Sequence, residues 1–227
     1  MAQSSTLLLT RPQAASDLFA RQVQQALGAL DIVISPLLEI EFLKFDAPKF
    51  PVTLIFTSRN GVEAWSRAKL PTDERCICVG KATGQAAQTI GFDPIVSGGT
   101  VEHLREDIIK NPPQGDLVHI RGRHTRGHLV DSLRESGVNA QELITYDQKL
   151  LDLNDEALRL LQGGAPVIVP LFSPRSAAQF AKAGPFGLQV DVIAISKAAA
   201  DLCPGARIAP SPDAKGMIAA ISQGPMP

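Results

Sequence analysis

The sequence predicts an α/β protein with parallel sheets covered by helices on both faces, arranged as two similar lobes. Short apolar runs alternate with amphipathic stretches along the whole chain. The pattern of the first half returns in the second. Four of the apolar runs end in turns that carry hydroxyls and arginine.

The elements follow in order. Leu7-Leu8-Leu9 is apolar at consecutive positions, as a strand covered on both faces must be. Apolar residues at three- and four-residue spacing then predict a helix over 16–27, followed by a strand at Ile32-Val33-Ile34. From Ser35 to Pro51 the chain is predicted extended, because Pro36, Pro48 and Pro51 break any helix. Strands at Leu54-Ile55-Phe56, Cys76-Ile77-Cys78-Val79 and Leu117-Val118-His119-Ile120 alternate with helices over 60–68, 83–90, 101–109 and 128–136. A second extended crossing covers 146–153. Strands at Val167-Ile168-Val169 and Val192-Ile193-Ala194-Ile195 flank a helix over 176–183. Strand and helix in steady alternation argue for parallel sheets.

The halves echo each other. Phe56-Thr57-Ser58 resembles Leu171-Phe172-Ser173 at a displacement of 115, and Val79-Gly80-Lys81-Ala82 resembles Ile195-Ser196-Lys197-Ala198 at 116. Leu9-Thr10-Arg11 resembles His119-Ile120-Arg121 at 110. Three echoes in one order at nearly one displacement point to a duplicated unit of about 110 residues, against the alternative that α/β units resemble each other by default. The two extended crossings stand at matching points of the halves, which fits a pair of lobes joined by two neighbouring strands.

Composition excludes several classes. Of 227 residues, 44% are hydrophobic and 20% charged, too apolar for wholesale disorder. A net charge of −1 exerts no global pull on nucleic acid or anionic membrane. No run approaches the ~20 apolar residues of a membrane span, and the first residues carry no basic segment or cleavage site, so a soluble cytoplasmic protein is expected. Three cysteines, Cys76, Cys78 and Cys203, are too few and too irregular for a disulfide framework or zinc site.

The chemistry is predicted where strands end. Thr10-Arg11-Pro12, Thr57-Ser58-Arg59-Asn60-Gly61, Arg121-Gly122-Arg123-His124-Thr125-Arg126-Gly127 and Ser173-Pro174-Arg175-Ser176 each stand between a strand and a helix. Ligands of open α/β sheets bind outside the carboxyl ends of strands, and helix N-termini there offer N–H groups to carboxylate or phosphate. Hydroxyls cap those helices or bind an anion, and arginine adds a bidentate donor. A polyanionic ligand gripped between two lobes is the inference; helix caps and surface ion pairs are the alternative. No dinucleotide fingerprint, P-loop or Gly-x-Ser-x-Gly stands in the chain. His124 and His128 are four apart without an acidic third ligand, so an ordinary imidazole is favoured over a metal site. Cys78 has no histidine partner and reads as a core cysteine.

These motifs, with Leu143-Ile144-Thr145-Tyr146 and Val79-Gly80-Lys81-Ala82-Thr83, resemble the uroporphyrinogen-III synthase family over almost the whole chain. The resemblance implies two flavodoxin-like (Rossmann-like) lobes joined by a two-stranded ladder: a discontinuous first lobe over 1–36 and 151–227, a second lobe over 41–147, and linker strands over 36–41 and 147–152. It implies a monomeric, cofactor-free lyase of tetrapyrrole and heme biosynthesis that cyclises hydroxymethylbilane, a linear tetrapyrrole with eight carboxylates, with inversion of its last ring. Tyr146 matches the family's tyrosine, which would donate to the departing hydroxyl, and Thr83 matches a hydroxyl facing the cleft. Thr10, Arg11, Ser58, Arg59, Asn60, Arg121, Arg123, Ser173 and Arg175 would hold acetate and propionate arms. No nucleic acid, metal or membrane is implied; a passing contact with the upstream deaminase is. Ser196 and Ala199 depart from the glycine and threonine usual in the second copy, which removes an expected hydroxyl contact. Two rivals stand beside this reading. A racemase would need matching cysteines, but Cys78 faces Ala194 and Cys203 faces none. A non-catalytic cytoplasmic tetrapyrrole binder leaves the same traces, and only turnover separates it.

Overall fold

A computed structural model describes residues 5–124 and 127–224; Thr125 and Arg126 of the basic turn lie outside the described residues. The chain divides into two compact units, Met1–Glu39 with Lys149–Pro227, and Ile40–Gln148.

The first unit contains β1 (Thr6–Leu9), α1 (Gln13–Leu27), β2 (Asp31–Ile34) and the start of β3 (Leu38–Phe42). The second contains β4 (Val52–Phe56), α2 (Arg59–Arg67), β5 (Arg75–Cys78), α3 (Lys81–Thr89), β6 (Pro94–Val96), α4 (Val101–Lys110), β7 (Asp116–Gly122), α5 (Leu129–Glu135) and most of β8 (Ala140–Leu150). The chain then returns to the first unit through α6 (Asp155–Gln162), β9 (Val167–Leu171), α7 (Pro174–Ala181), β10 (Val190–Ala194), α8 (Lys197–Ala200), β11 (Arg207–Ile208) and α9 (Ala214–Ser222).

In the first unit the strand order is β11-β10-β9-β1-β2, and every pairing is parallel. Both faces are covered, which is why its strands are apolar at successive positions. Leu8, Val167, Val169 and Leu171 face one layer with Leu161 of α6, Phe180 of α7 and Ala199 of α8. Leu7, Leu9 and Ile168 face the other, with Phe19 and Val23 of α1 and Met217 and Ile221 of α9. The second unit repeats this layering. Leu54 and Phe56 pack on Val62 and Trp65 of α2 and Ala87 of α3, while Ile55 and Leu117 pack on Leu104 of α4 and Leu129 and Leu133 of α5. Its order is β3-β8-β7-β4-β5-β6, with parallel pairing from β8 through β6.

Backbone bonds Leu43 N–H to Thr145 O and Leu151 N–H to Leu37 O, both 3.0 Å, pair the extended crossings with falling against rising numbers, as antiparallel strands do. Helices begin earlier than apolar spacing alone indicates: α2 starts at Arg59 and α7 at Pro174, because Ser58 and Ser173 supply the caps and a first turn buries little. α6 and α9, and the short strands β6 and β11, are additions to the sequence expectation.

Candidate active site

In each sheet the strand order reverses between two neighbours. In the second unit these are β4 and β7, paired from Val52↔Asp116 to Phe56↔Ile120, with α2 on one face and α5 on the other. In the first unit they are β1 and β9, followed by α1 and α7 on opposite faces. The four turns singled out in the sequence are the turns that leave these four strands. A crevice at the carboxyl ends of such strands is where doubly wound sheets bind ligands.

At the β4 end, Ser58 accepts from the Asn60 N–H at 3.2 Å and opens α2, leaving Arg59 exposed at the first helical position. Gly61 lets α2 press on β7; a Cβ there would stand 3.0 Å from the Ile120 carbonyl oxygen. One strand over, Thr83 is buried in the first turn of α3, which starts at Gly80 without a side-chain cap.

At the β7 end the two arginines have different surroundings. Arg121, its side chain 14% exposed, donates to Glu142 at 3.1 Å and to the Arg123 carbonyl oxygen at 3.4 Å. Arg123, 55% exposed, donates through Nε to Asp147 at 2.9 Å. His124 Nε2 lies 3.4 Å from the same carboxylate, whereas His128 faces Asp131 at 3.6 Å. Among the described residues no group of three or more His, Cys, Asp or Glu is placed to hold a metal ion.

Tyr146 reaches this strand end through an irregularity. Arg121 pairs with Ile144, but Gly122 pairs with Tyr146, so β8 carries one extra residue at Thr145. Bulges of this kind re-aim side chains beside functional sites. The Tyr146 ring lies on the Gly122 backbone, where a Cβ would meet ring carbon Cε2 at 2.5 Å. The ring is buried, and its hydroxyl makes no hydrogen bond among the described residues.

The first unit presents a smaller set. Its β1–β9 ladder stops at Leu7↔Ile168, while β9 and β10 stay paired to Leu171. Pro170 has no N–H to extend a ladder. Thr10 sits at the end of β1 with its Oγ1 buried and without a partner. The Arg11 guanidinium lies 4.1 Å from the centre of the Phe172 ring, and the Ser16 hydroxyl donates to the Arg11 carbonyl oxygen at 2.9 Å. Ser173 caps α7, accepting from the Ser176 N–H at 3.0 Å, and Arg175 stands half-buried in the first turn. Ser196 precedes α8 with no side-chain cap, and Ala199 is buried. Thus Ser58, Arg59, Asn60, Thr83, Arg121, Arg123 and Tyr146 gather on one sheet, and Thr10, Arg11, Ser173 and Arg175 on the other.

Sequence reasoning missed Asp147, Glu142 and the bond between half-buried Thr57 and buried His119, whose Oγ1 and Nε2 are 2.9 Å apart. A histidine inside the apolar run Leu117–Ile120 was the available signal. Burial first, then the Arg121 charge, pushes His119 from 6.5 down to about 4. As pH falls the unfolded chain takes up this proton before the native one. The stability contributed by neutral His119 is therefore complete above 6.5 and lost as pH drops toward about 4. Urea-unfolding midpoints are expected to fall over that interval, with a shallower fall in His119→Leu. Cys76 and Cys78 are buried with their sulfurs 3.7 Å apart; the hydrogen bond between them, then burial, pushes the Cys76 thiol up, which makes it a poor nucleophile.

Two three-layer α/β sheets, each with hydroxyl, arginine and backbone donors at its switch point, define a doubly wound protein. No helix among the described residues is long and apolar enough to cross a membrane. The family model for uroporphyrinogen-III synthase HemD matches residues 19–219, and the chain belongs to the uroporphyrinogen-III synthase family. Uroporphyrinogen-III synthetase from Helicobacter pylori is similar in structure, with a TM-score of 0.71 at 17% identity over 97% of this chain and 99% of that one. A mutant uroporphyrinogen III synthase from the extremely thermophilic bacterium Thermus thermophilus gives 0.55 at 14% identity over 97% and 98%. At such identities the likeness speaks for the fold. No curated protein sequence matches the chain.

Proposed function

We propose that this chain cyclises hydroxymethylbilane to uroporphyrinogen III with inversion of the last ring, releasing water. Its family membership carries the proposal, and the strand-end donors support it chemically. Loss of the terminal hydroxyl leaves a delocalised azafulvene cation, which is attacked at a substituted pyrrole carbon to give a spiro intermediate; fragmentation and re-closure invert the ring. The substrate's own pyrrole nitrogens supply the electronic push, so no cofactor is assigned. The protein has to fold the chain and hold the reacting carbon close, ahead of the uncatalysed closure to the type I isomer. Tyr146 is assigned as hydrogen-bond donor to the departing hydroxyl, and Thr83 as a second hydroxyl toward the substrate. Carboxylate arms are assigned to Ser58, Arg59, Asn60, Arg121 and Arg123 of one unit and to Thr10, Arg11, Ser173 and Arg175 of the other.

The proposal extends to organisation: a lobe over 1–36 and 151–227, a lobe over 41–147, and linker strands over 36–41 and 147–152. Internal duplication is supported by topology. Counted from β4, the second sheet runs β6-β5-β4-β7-β8; counted from β9, the first runs β11-β10-β9-β1-β2, the same order with the chain start shifted. A cytoplasmic monomer that meets its upstream deaminase in passing completes the proposal.

The test is isomer analysis. Porphobilinogen and its deaminase generate hydroxymethylbilane in situ; the chain is added, the product oxidised and the uroporphyrins separated. Type III is expected. Type I alone from folded protein sinks the enzyme proposal and leaves a tetrapyrrole binder. Tyr146→Phe is expected to lower kcat at least several-fold by removing a proton donor; unchanged kinetics remove Tyr146 from the mechanism.

A further inference from the structure

His119 stands where a leucine would serve the core better. Its cross-strand partner on β4 is Ile55 and its neighbour on the same face of β7 is Leu117, both fully buried. The imidazole is 3% exposed, and its Nδ1 is buried with no hydrogen-bond partner among the described residues. Its Nε2 lies 2.9 Å from Thr57 Oγ1, one residue before the cap of α2 at the switch point. A neutral imidazole carries one proton, and two tautomers are open to it. With the proton on Nδ1, a buried N–H would be orphaned beside the positive Arg121 two residues on. With the proton on Nε2, Nδ1 is a bare lone pair, which proteins leave unpaired more readily than a donor and which the arginine charge favours.

We infer that His119 is a positioning residue in its Nε2–H form: it donates to Thr57 Oγ1 and so turns the Thr57 hydroxyl proton outward, as a donor to an anionic group at the carboxyl end of β4. Among the described residues Thr57 Oγ1 makes no other hydrogen bond, so its proton is unspent. Thr57 is half-buried, directly after the carboxyl end of β4. The polar pair gives the turn before Ser58 a fixed donor that a leucine at 119 would leave free to rotate. The ligand, a carboxylate arm of the tetrapyrrole, rests on the synthase proposal; the tautomer does not.

Long-range proton–nitrogen spectra of the ¹⁵N-labelled full chain, assigned with His119→Leu, read the tautomer directly. Nε2–H is expected, and Nδ1–H overturns the inference. Titration with uroporphyrin III, an octacarboxylate that needs no turnover, is expected to show roughly tenfold weaker binding in Thr57→Val, the loss typical of one hydrogen bond to a charged group. Thr57→Ser should restore binding. In turnover the Thr57→Val loss should fall on KM with kcat held, and Thr57→Val/His119→Leu should be no worse than Thr57→Val. Wild-type binding and KM in Thr57→Val overturn the role of the outward proton. A chain that makes no type III isomer sinks the synthase proposal alone, because spectrum and titration still decide this one.

Discussion

Replacing Gly122 by alanine is expected to lower kcat further than Tyr146→Phe does, and to destabilise the chain by about 1–3 kcal/mol, the usual cost of overpacking. The added Cβ would stand 2.5 Å from Tyr146 Cε2 and 2.7 Å from Cζ, closer than carbon atoms approach. The ring cannot step aside cheaply: Tyr146 is buried, and its backbone is fixed by the extra residue at Thr145 and by its carbonyl oxygen, which accepts from the Arg123 N–H at 2.8 Å. Relief must come from moving the ring or opening the β7 end, and either displaces a proposed donor. Tyr146→Phe removes only the hydroxyl and leaves ring and loop in place. Gly122→Ala should cost less in a Tyr146→Ala background than in wild type, since no ring remains to clash. Unfolding midpoints on wild type, both single alanine variants and the double variant, with kcat on Gly122→Ala and Tyr146→Phe, check this; wild-type kcat and stability in Gly122→Ala would refute the packing account.

What the sequence shows of this molecule depends on how local the cause is. Burial on both faces is local, since most residues of a covered strand are then apolar. Leu8 duly packs on one layer while Leu7 and Leu9 pack on the other, and Ile55 separates in the same way from Leu54 and Phe56. The four hydroxyl- and arginine-bearing turns are legible for a similar reason, because each pairs with a helix start a few residues on. Partners across strands are not legible. Glu142 and Asp147 meet Arg121 and Arg123 only because β7 lies beside β8 in a particular register, and the extra residue at Thr145 has no mark in Leu-Ile-Thr-Tyr. Pro170 does not mark its place either: proline is usual in edge strands, yet β9 is central and its ladder to β1 simply stops short. Helix α9 escapes because its buried face includes the small residues Gly216 and Ala220, which blur the period. Helix α6 was legible, with Ala157 and Leu161 buried one turn apart, and sequence reasoning passed over it.

Arg207→Met is expected to destabilise the chain by about 3–5 kcal/mol, the largest stability effect foreseen here, because it removes one partner of a buried ion pair. Arg207 and Asp191 are only 11% and 10% exposed at their side chains. The contact is bidentate, with Nε donating to Oδ1 at 3.0 Å and a terminal nitrogen donating to Oδ2. Both terminal nitrogens also reach the Ala220 carbonyl oxygen at 3.2 Å. One guanidinium thus joins β10, the two-residue edge strand β11 and the last turns of α9. Methionine keeps much of the apolar stem but leaves the Asp191 carboxylate buried without its cation. Arg207→Met/Asp191→Leu should recover most of the loss, since an apolar pair of similar volume often replaces a buried ion pair at little cost. Urea midpoints for wild type, Arg207→Met and the double variant separate the two accounts. A cost below about 1 kcal/mol for Arg207→Met would mean that the pair behaves as a solvated surface contact.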